Sequence, residues 1–387
     1  MPSSSLFGRR IHIAGSISGD PGGASQDQIA YARLLLQRLV PELVRRGANF
    51  VIPVDREPVR GDGEKICFDW LVWEGVHAAF TTRPPEAPGP FIIAVQHHKS
   101  EDQVPAEQWE LWEALRASPA VQIESAAQWN MASKRMEVAA RTGDILIALG
   151  GAEGVDYLAN LYHDAGKPVV PLDLPITGPN AGARKLFAFG QSPKNAARLF
   201  RSKGDMPPHS WLSRIQHTRR QTADALASGL TDLLEALAPP RAFGVRLLNP
   251  NHPHFDAVEA HFETVVRPVI EDELGYELTV IDGSQPFEHS RIDQEIFTKL
   301  HRSRVVLADI TGSRPNCFIE LGYALGRQLP TMVMGLEGAE LPFDITTISG
   351  LMWKAAGPVK ERRTAFRNHW IAIKNRPPIV PVEPLIP

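Results

Sequence analysis

RVVLADITGSRPNCFIELGYALGRQL, residues 304–329, reads as a buried strand, a turn and a packed helix. Val305, Val306, Leu307 and Ala308 form an apolar run too short for a helix. Bounded by turn formers, such a run reads as a parallel strand buried on both faces. Asp309 stands at its carboxyl end, and Thr311, Gly312 and Ser313 make the turn. Pro315 suits a first helical position, where its missing N–H costs nothing. Phe318, Leu321, Ala324 and Leu325 then recur at helical spacing along one face. In open α/β sheets, ligands bind beyond the carboxyl ends of the strands, and a helix N-terminus there favours anions. Asp309, Thr311, Asn316 and Glu320 therefore fall where a site belongs. On position alone, Glu320 is either a solvated surface carboxylate or one aimed at a ligand.

The flanking sequence repeats the alternation of strand and helix. Phe243–Leu248 is a strand, NPNHPHF (249–255) its loop, and a helix follows to Leu274. Glu277–Ile281 and Thr331–Gly335 are further strands, with a helix over Arg291–Leu300 between them. LPFDI (341–345) and a helix after Lys360 close the pattern, and the proline-rich tail PPIVPVEPLIP is an extended arm. His252 and His254 stand at a strand end, where they line a site or simply build the loop.

ADITGSRPNCFIELGYALG, with SRIDQEIFTKLHRS upstream and LPFDI downstream, resembles the nucleoside 2-deoxyribosyltransferase-like superfamily over residues 243–375. The resemblance implies that Glu320 attacks or stabilises the anomeric carbon of a nucleoside and that Asp293 assists. It places Asp309 and Asn316 in the wider D-x-T-G-x-x-P-N pattern, and substrate contacts on Thr311, Gly312, Tyr323, Phe343 and Asp344. Arg314-Pro315-Asn316 replaces the aspartate-containing loop of the dedicated transferases, which favours cleavage over transfer. The chemistry suits the residues: N-glycosidic cleavage passes through an oxocarbenium-like state that a carboxylate can stabilise or trap. The proton donor to the leaving base stays open among Asp293, Asp309 and water.

The first half follows the same grammar. Residues 1–9 read as a flexible leader. Ile11–Ala14 is a strand, GSISGDPGGAS (15–25) a phosphate-cradling loop or a plain surface loop, and 26–46 a helix that Gly47 ends. Asn49–Val54, Phe91–Val95 and Val121–Ile123 are strands, with helices over Cys67–Phe80 and Ala106–Ala117. The most informative run is NMASKRMEVAARTGDILIALGGAEGVDYLANLY (130–162), a helix, a strand, a double glycine and a helix. Gly150, Gly151 and Gly154 let backbone N–H groups approach a phosphate, and Lys134 and Arg135 are in reach of an anion. Residues 174–210 read as irregular, and a helix over His217–Leu237 precedes the break at Pro239-Pro240.

That run resembles the SLOG superfamily, which includes the lonely guy phosphoribohydrolases. The match rests on Lys134-Arg135 and Leu149-Gly150-Gly151-Ala152-Glu153-Gly154-Val155 and extends over residues 8–190. No glutamate holds the catalytic spacing of the lonely guy enzymes, so the resemblance implies nucleotide binding, with Gly15, Ser16, Lys134, Arg135, Gly150, Gly151 and Gly154 receiving a signal nucleotide.

The expected fold is α/β: two Rossmann-like domains with parallel sheets flanked by helices. Residues 1–205 form the SLOG-like sensor, 206–240 a connecting helix and linker, and 241–387 the transferase-like catalytic domain. The chain has 387 residues, a formal net charge of −3 and two cysteines. These features give no drive toward nucleic acid and no disulfide framework. No apolar run spans a membrane and no secretory signal opens the chain, so a cytoplasmic protein is expected. No metal site and no cofactor are expected. The partners are a small-molecule nucleotide substrate and a nucleotide-derived activating ligand, with homo-oligomerisation.

The leading reading is an N-glycosidase effector that cleaves a nucleoside, nucleotide or NAD through Glu320, is gated by the first domain, and acts in antiphage defence. The alternatives are a non-catalytic nucleotide sensor acting through a partner protein, and a phosphoribohydrolase in the first domain.

Overall fold

The computed structural model describes residues 4–96, 99, 101–125, 132–281, 292–339 and 350–374. Phe343, Asp344, the rest of LPFDI and the proline-rich tail lie outside them. The chain forms two compact α/β units that part between Ala238 and Pro239.

In the first unit a six-stranded parallel sheet has the order β4-β3-β2-β1-β5-β6. The strands are β1 (Arg10–Ser16), β2 (Asn49–Pro53), β3 (Ile92–Gln96), β4 (Val121–Ser125), β5 (Ile145–Gly150) and β6 (Val169–Leu172). The helices are α1 (Gln26–Arg45), α2 (Asp69–Ala79), α3 (Trp109–Arg116), α4 (Ala132–Thr142), α5 (Glu153–Asp164), α6 (Gly182–Gly190), α7 (Pro193–Leu199), α8 (Pro208–Arg214) and α9 (Ala223–Ala236). Strand order reverses between β1 and β5, which opens a crevice at their carboxyl ends. Ser25 caps α1 in a reciprocal box with Gln28, and Pro41 is carried inside that helix.

Two expectations for this unit change. The stretch 174–210, read as irregular, holds α6 and α7. Its turn formers are concentrated at Gly178-Pro179-Asn180, while Ser192 caps α7 with Pro193 at the first helical position. The leader is also tied down from residue 4: the Ser5 amide donates to the Glu235 carboxylate at 2.8 Å and Leu6 is fully buried. The stretch 206–240 carries α8 and α9, whose Leu212, Leu226, Leu230, Leu233 and Leu234 are buried in the first unit's core.

The second unit is a five-stranded parallel sheet of order β11-β10-β9-β7-β8. Its strands are β7 (Arg241–Val245), β8 (Glu277–Val280), β9 (Val305–Asp309), β10 (Thr331–Leu336) and β11 (Leu351–Trp353). Its helices are α10 (Phe255–His261), α11 (Ile292–His301), α12 (Pro315–Gly326) and α13 (Val359–Lys374). α10 runs on in π-type turns to Glu273. Pro268 lies in that segment and lacks the N–H that a regular α-turn needs. Along β9 the side chains alternate between two cores, Val305 and Leu307 in one and Val306 and Ala308 in the other.

A buried polar knot ties the strand ends of this unit together. Asp309, fully buried, accepts from the Thr311 amide at 2.9 Å and from the Trp353 indole N–H at 2.7 Å. The Leu336 amide donates to the Thr311 hydroxyl at 2.9 Å. His261 lies flat on Trp353, 4.1 Å between ring centres, with neither ring nitrogen bonded among the described residues.

Two predictions follow from these buried groups. Desolvation lowers the pKa of His261 to about 3, and Arg362 adds to it. An unfolded histidine takes up its proton near 6.5, so this unit loses stability as pH falls from 6.5 toward 3. His261→Phe keeps the stacking and removes both unbonded nitrogens. It is expected to raise the melting temperature, and by more at pH 5 than at pH 8; equal shifts at both would contradict the account. Asp309→Asn forces an amide N–H against the Thr311 or Trp353 donor. It is expected to cost about 2–4 kcal/mol in denaturant unfolding, and an unchanged midpoint would show that the knot does not hold the strand ends.

Candidate functional site

Each unit offers one site at the carboxyl edge of its sheet. In the first, backbone segments are pressed together at the β1–β5 crevice. A Cβ on Gly15 would lie 1.7 Å from the Leu149 carbonyl oxygen, and one on Gly150 would lie 2.3 Å from that of Ser16. Gly150 and Gly151 take positive φ, 62° and 70°, which L side chains rarely adopt. The Gly151 amide donates to the Ser16 carbonyl at 2.8 Å, locking the two loops together. Arg60, buried, grips Asp62 at 2.6 and 2.8 Å and donates to the Ser18 and Asp20 carbonyls at 3.4 Å, which holds the loop after β1.

The expected residues are thus partly assembled. Gly15, Ser16, Gly150 and Gly151 meet at the crevice, and Gly154 sits in the first turn of α5 with ordinary helical backbone. Lys134 and Arg135 are engaged elsewhere. Lys134 is exposed and pairs with Glu137 at 2.8 Å, and Arg135 pairs with Asp55 at 2.5 Å.

Arg135 and Asp55 belong to a charged recess that the sequence reading missed. It gathers Asp55 beyond β2, Glu57, Cys67 and Asp69, the first residue of α2. Cys67 bridges Ser16, so the recess adjoins the glycine crevice. Burial raises the Asp69 pKa to about 7, with repulsion from Glu57 and Asp55 adding and Arg135 opposing. Burial also raises Glu57, whose carboxylate accepts from the Cys67 amide at 3.2 Å. The Cys67 thiol is pushed up to about 12, by burial and then by Asp69, Glu57 and Asp55. The available signal was Asp55 at the end of a strand already recognised; Asp69 looked like an ordinary helix-start acid.

In the second unit the turn between β9 and α12 is set by the knot around Asp309. Gly312 has φ 81° and lies against His252, whose ring would sit 2.9 Å from a Cβ there. Glu320, on the second turn of α12, is half-buried. Burial raises its pKa to about 7, with Arg314 opposing. No hydrogen bond engages its carboxylate among the described residues. Asn316, one turn earlier on the same helix face, is exposed. Asp293, on the first turn of α11, is exposed and accepts from the Gln294 amide at 2.9 Å.

Asp309 and Thr311 are occupied by the knot: Asp309 has both oxygens bonded and no exposure. Tyr323 turns its hydroxyl to His301 at 2.7 Å, at the far end of α11. Arg246, buried, pairs with Glu259 and lies over the Phe262 ring, and its carbonyl accepts from the Cys317 thiol at 3.7 Å. The sheet edge therefore presents Glu320 and Asn316 on α12 above a buried support of Asp309, Thr311 and Trp353.

Among the described residues no cluster of histidine, cysteine and acidic side chains could hold a metal ion. No helix among them is long and apolar enough to cross a membrane.

Comparison with known proteins adds a family. No curated protein matches the chain. The X-ray structure of TM1055, a structural genomics target, is 16% identical, with 42% of this chain and 74% of that one covered and a TM-score of 0.25. The family described as ATP nucleosidase Cap17-like, N-terminal, matches residues 6–234, all within the first unit. The chain belongs to the Cap17-like ATP nucleosidase N-terminal family, and at the level of that family it is a nucleosidase-type protein.

Proposed function

We propose that the protein is a nucleotide N-glycosidase in which Glu320 carries the chemistry and the first unit's crevice binds the nucleotide that gates it. The observation that carries this reading is Glu320 itself: half-buried, unbonded among the described residues, and raised to about 7 at the start of a helix beyond a strand end. Retaining a desolvated carboxylate without a partner costs stability, and such groups concentrate where chemistry is done. Ionised, Glu320 faces the developing positive charge of an oxocarbenium-like state, either stabilising it or bonding to the anomeric carbon while the base leaves with the glycosidic electron pair. Asn316 supplies a neutral amide on the same helix face for a sugar hydroxyl. The substrate class covers nucleosides, nucleotides and NAD, and ATP is the member that the family name favours. Pairing a nucleotide-binding unit with a glycosidase unit suits a defence effector that assembles as a homo-oligomer in the cytoplasm when its signal arrives.

A second reading puts cleavage in the first unit. The family match lies there, and Asp69, with its pKa about 7, stands in a recess adjoining the glycine crevice. In that reading Asp69 gives a proton to the leaving base.

Base release from ATP, NAD and a panel of nucleosides separates the two. Glu320→Gln is expected to lower turnover by at least about 10²-fold, while Asp69→Asn leaves it intact; the reverse result would move the chemistry to the first unit. Because Glu320 acts ionised, the rate is expected to rise with pH through about 7. A rate that instead falls across that range would make Glu320 a proton donor.

A further inference from the structure

We infer that His252 is the hydrogen-bond donor to the departing base, and that the second unit therefore cleaves purine or pyrimidine nucleotides in preference to NAD. The inference rests on the reading of Glu320 as the carboxylate that meets the sugar, and deepens it.

Topology places the site. The chain leaves β7 to build β8 on one side and returns to build β9 on the other. Strand order thus reverses between β7 and β9, and open parallel sheets bind ligands beyond the carboxyl ends at such a point. The two loops that follow these strands meet there. A Cβ on Gly312, in the turn after β9, would lie 2.9 Å from both Cε1 and Nε2 of His252, in the loop after β7. Cys317, on the first turn of α12, donates from its thiol at 3.7 Å to the carbonyl of Arg246, the residue that follows β7. The helix that carries Asn316 and Glu320 therefore begins against the chain leaving β7.

The two ring nitrogens of His252 have separate roles. The loop around it is closely bonded. The Asn251 amide donates to Asn249 Oδ1 at 3.1 Å, and the His252 amide donates to the Asn249 carbonyl at 3.1 Å. The His254 amide donates to Nδ1 of His252 at 3.2 Å. A backbone N–H is a donor only, so Nδ1 is the acceptor, and the neutral ring carries its proton on Nε2. Building the loop uses Nδ1 alone. Nε2 has no partner among the described residues, and it is a nitrogen set against Gly312, whose missing side chain lets the ring reach the turn.

An N–H fixed at this point matches one half of the chemistry. The bond from the anomeric carbon to a purine or pyrimidine breaks with both electrons passing to the base, which leaves as an anion. A fixed donor stabilises that charge as it develops, while Glu320 answers the positive charge on the sugar. His252 keeps its proton, since a neutral imidazole that gave it up would itself become an anion. Water adds its hydroxyl to the anomeric carbon and gives its proton to the released base. Nicotinamide differs: it is bonded as a pyridinium, takes the same electron pair and leaves neutral, so the donor gains nothing.

The test measures base release from ATP and nicotinamide release from NAD by the full chain, with melting temperatures, for the wild type, His252→Asn and His252→Gln. Asparagine at 252 keeps an acceptor for the residue-254 amide, as in an Asx-turn, and deletes the Nε2 donor. Glutamine carries an amide N–H out to the place of Nε2 and gives up the loop acceptor. His252→Asn is expected to melt like the wild type and to lose about 10²-fold or more in adenine release. Its nicotinamide release is expected to stay within about threefold. His252→Gln is expected to melt lower yet to release adenine faster than His252→Asn. Unchanged adenine release in His252→Asn would overturn the inference. So would equal losses on ATP and NAD, or equal losses in the two variants, either of which makes His252 a loop residue. Wild-type protein that releases nicotinamide and no adenine would overturn the role of His252 and leave that of Glu320. Wild-type protein that releases neither would overturn both.

Discussion

The contact between Gly15 and the Leu149 carbonyl governs the first unit. The last residues of β1 run so close to β5 that a Cβ at position 15 would lie 1.7 Å from that oxygen. Only a residue without a side chain lets β1 and β5 stay paired to their carboxyl ends, where Ser16 faces Gly150. That pairing sets the rest in sequence. The Ser16 carbonyl accepts from the Gly151 amide, the double glycine turns through positive φ, and α6 packs its first residue against the turn. Main chain meets main chain there because a Cβ at Gly15, Gly150 or Gly182 would run into a backbone carbonyl.

The second unit reaches its strand ends by another route. Where the first excludes side chains, the second buries a carboxylate. Asp309 ties the turn after β9 to β11 through Trp353, and Thr311 ties it to β10 through the Leu336 amide. The result is a rigid edge from which α12 departs with Glu320 on its second turn. Burial raises the pKa of both carboxylates, of Asp309 although each of its oxygens has a donor and of Glu320 with no donor among the described residues. The same desolvation thus falls on one carboxylate held by two donors and on another held by none among the described residues.

Much of this was legible in the chain. The parallel sheets show as short apolar runs because both faces of each strand are covered, so no polar alternation interrupts them. The glycine crevice shows because close backbone approach leaves few residue choices. Glu320 shows because its position follows from counting residues from a strand end and a helix start. Other features did not show. Arg135 sits beside Lys134 in a basic pair suited to an anion, yet it is drawn to Asp55, a residue distant in sequence. Asp309 looked like a reacting group, and its place in a knot depends on Trp353, again distant in sequence. The α6–α7 region looked irregular because its front is rich in turn formers.

The sequence alone determined the two α/β units, the strand ends at which sites form, and the residue types there, because periodicity, glycine and proline act locally and leave local traces. The tertiary structure decided which of those residues are free to act. Whether a buried carboxylate is held by donors or left without them depends on partners brought together by folding. Asp309 met Trp353 and Arg135 met Asp55. Burial and pairing are properties of position in space, and adjacency along the chain does not encode them.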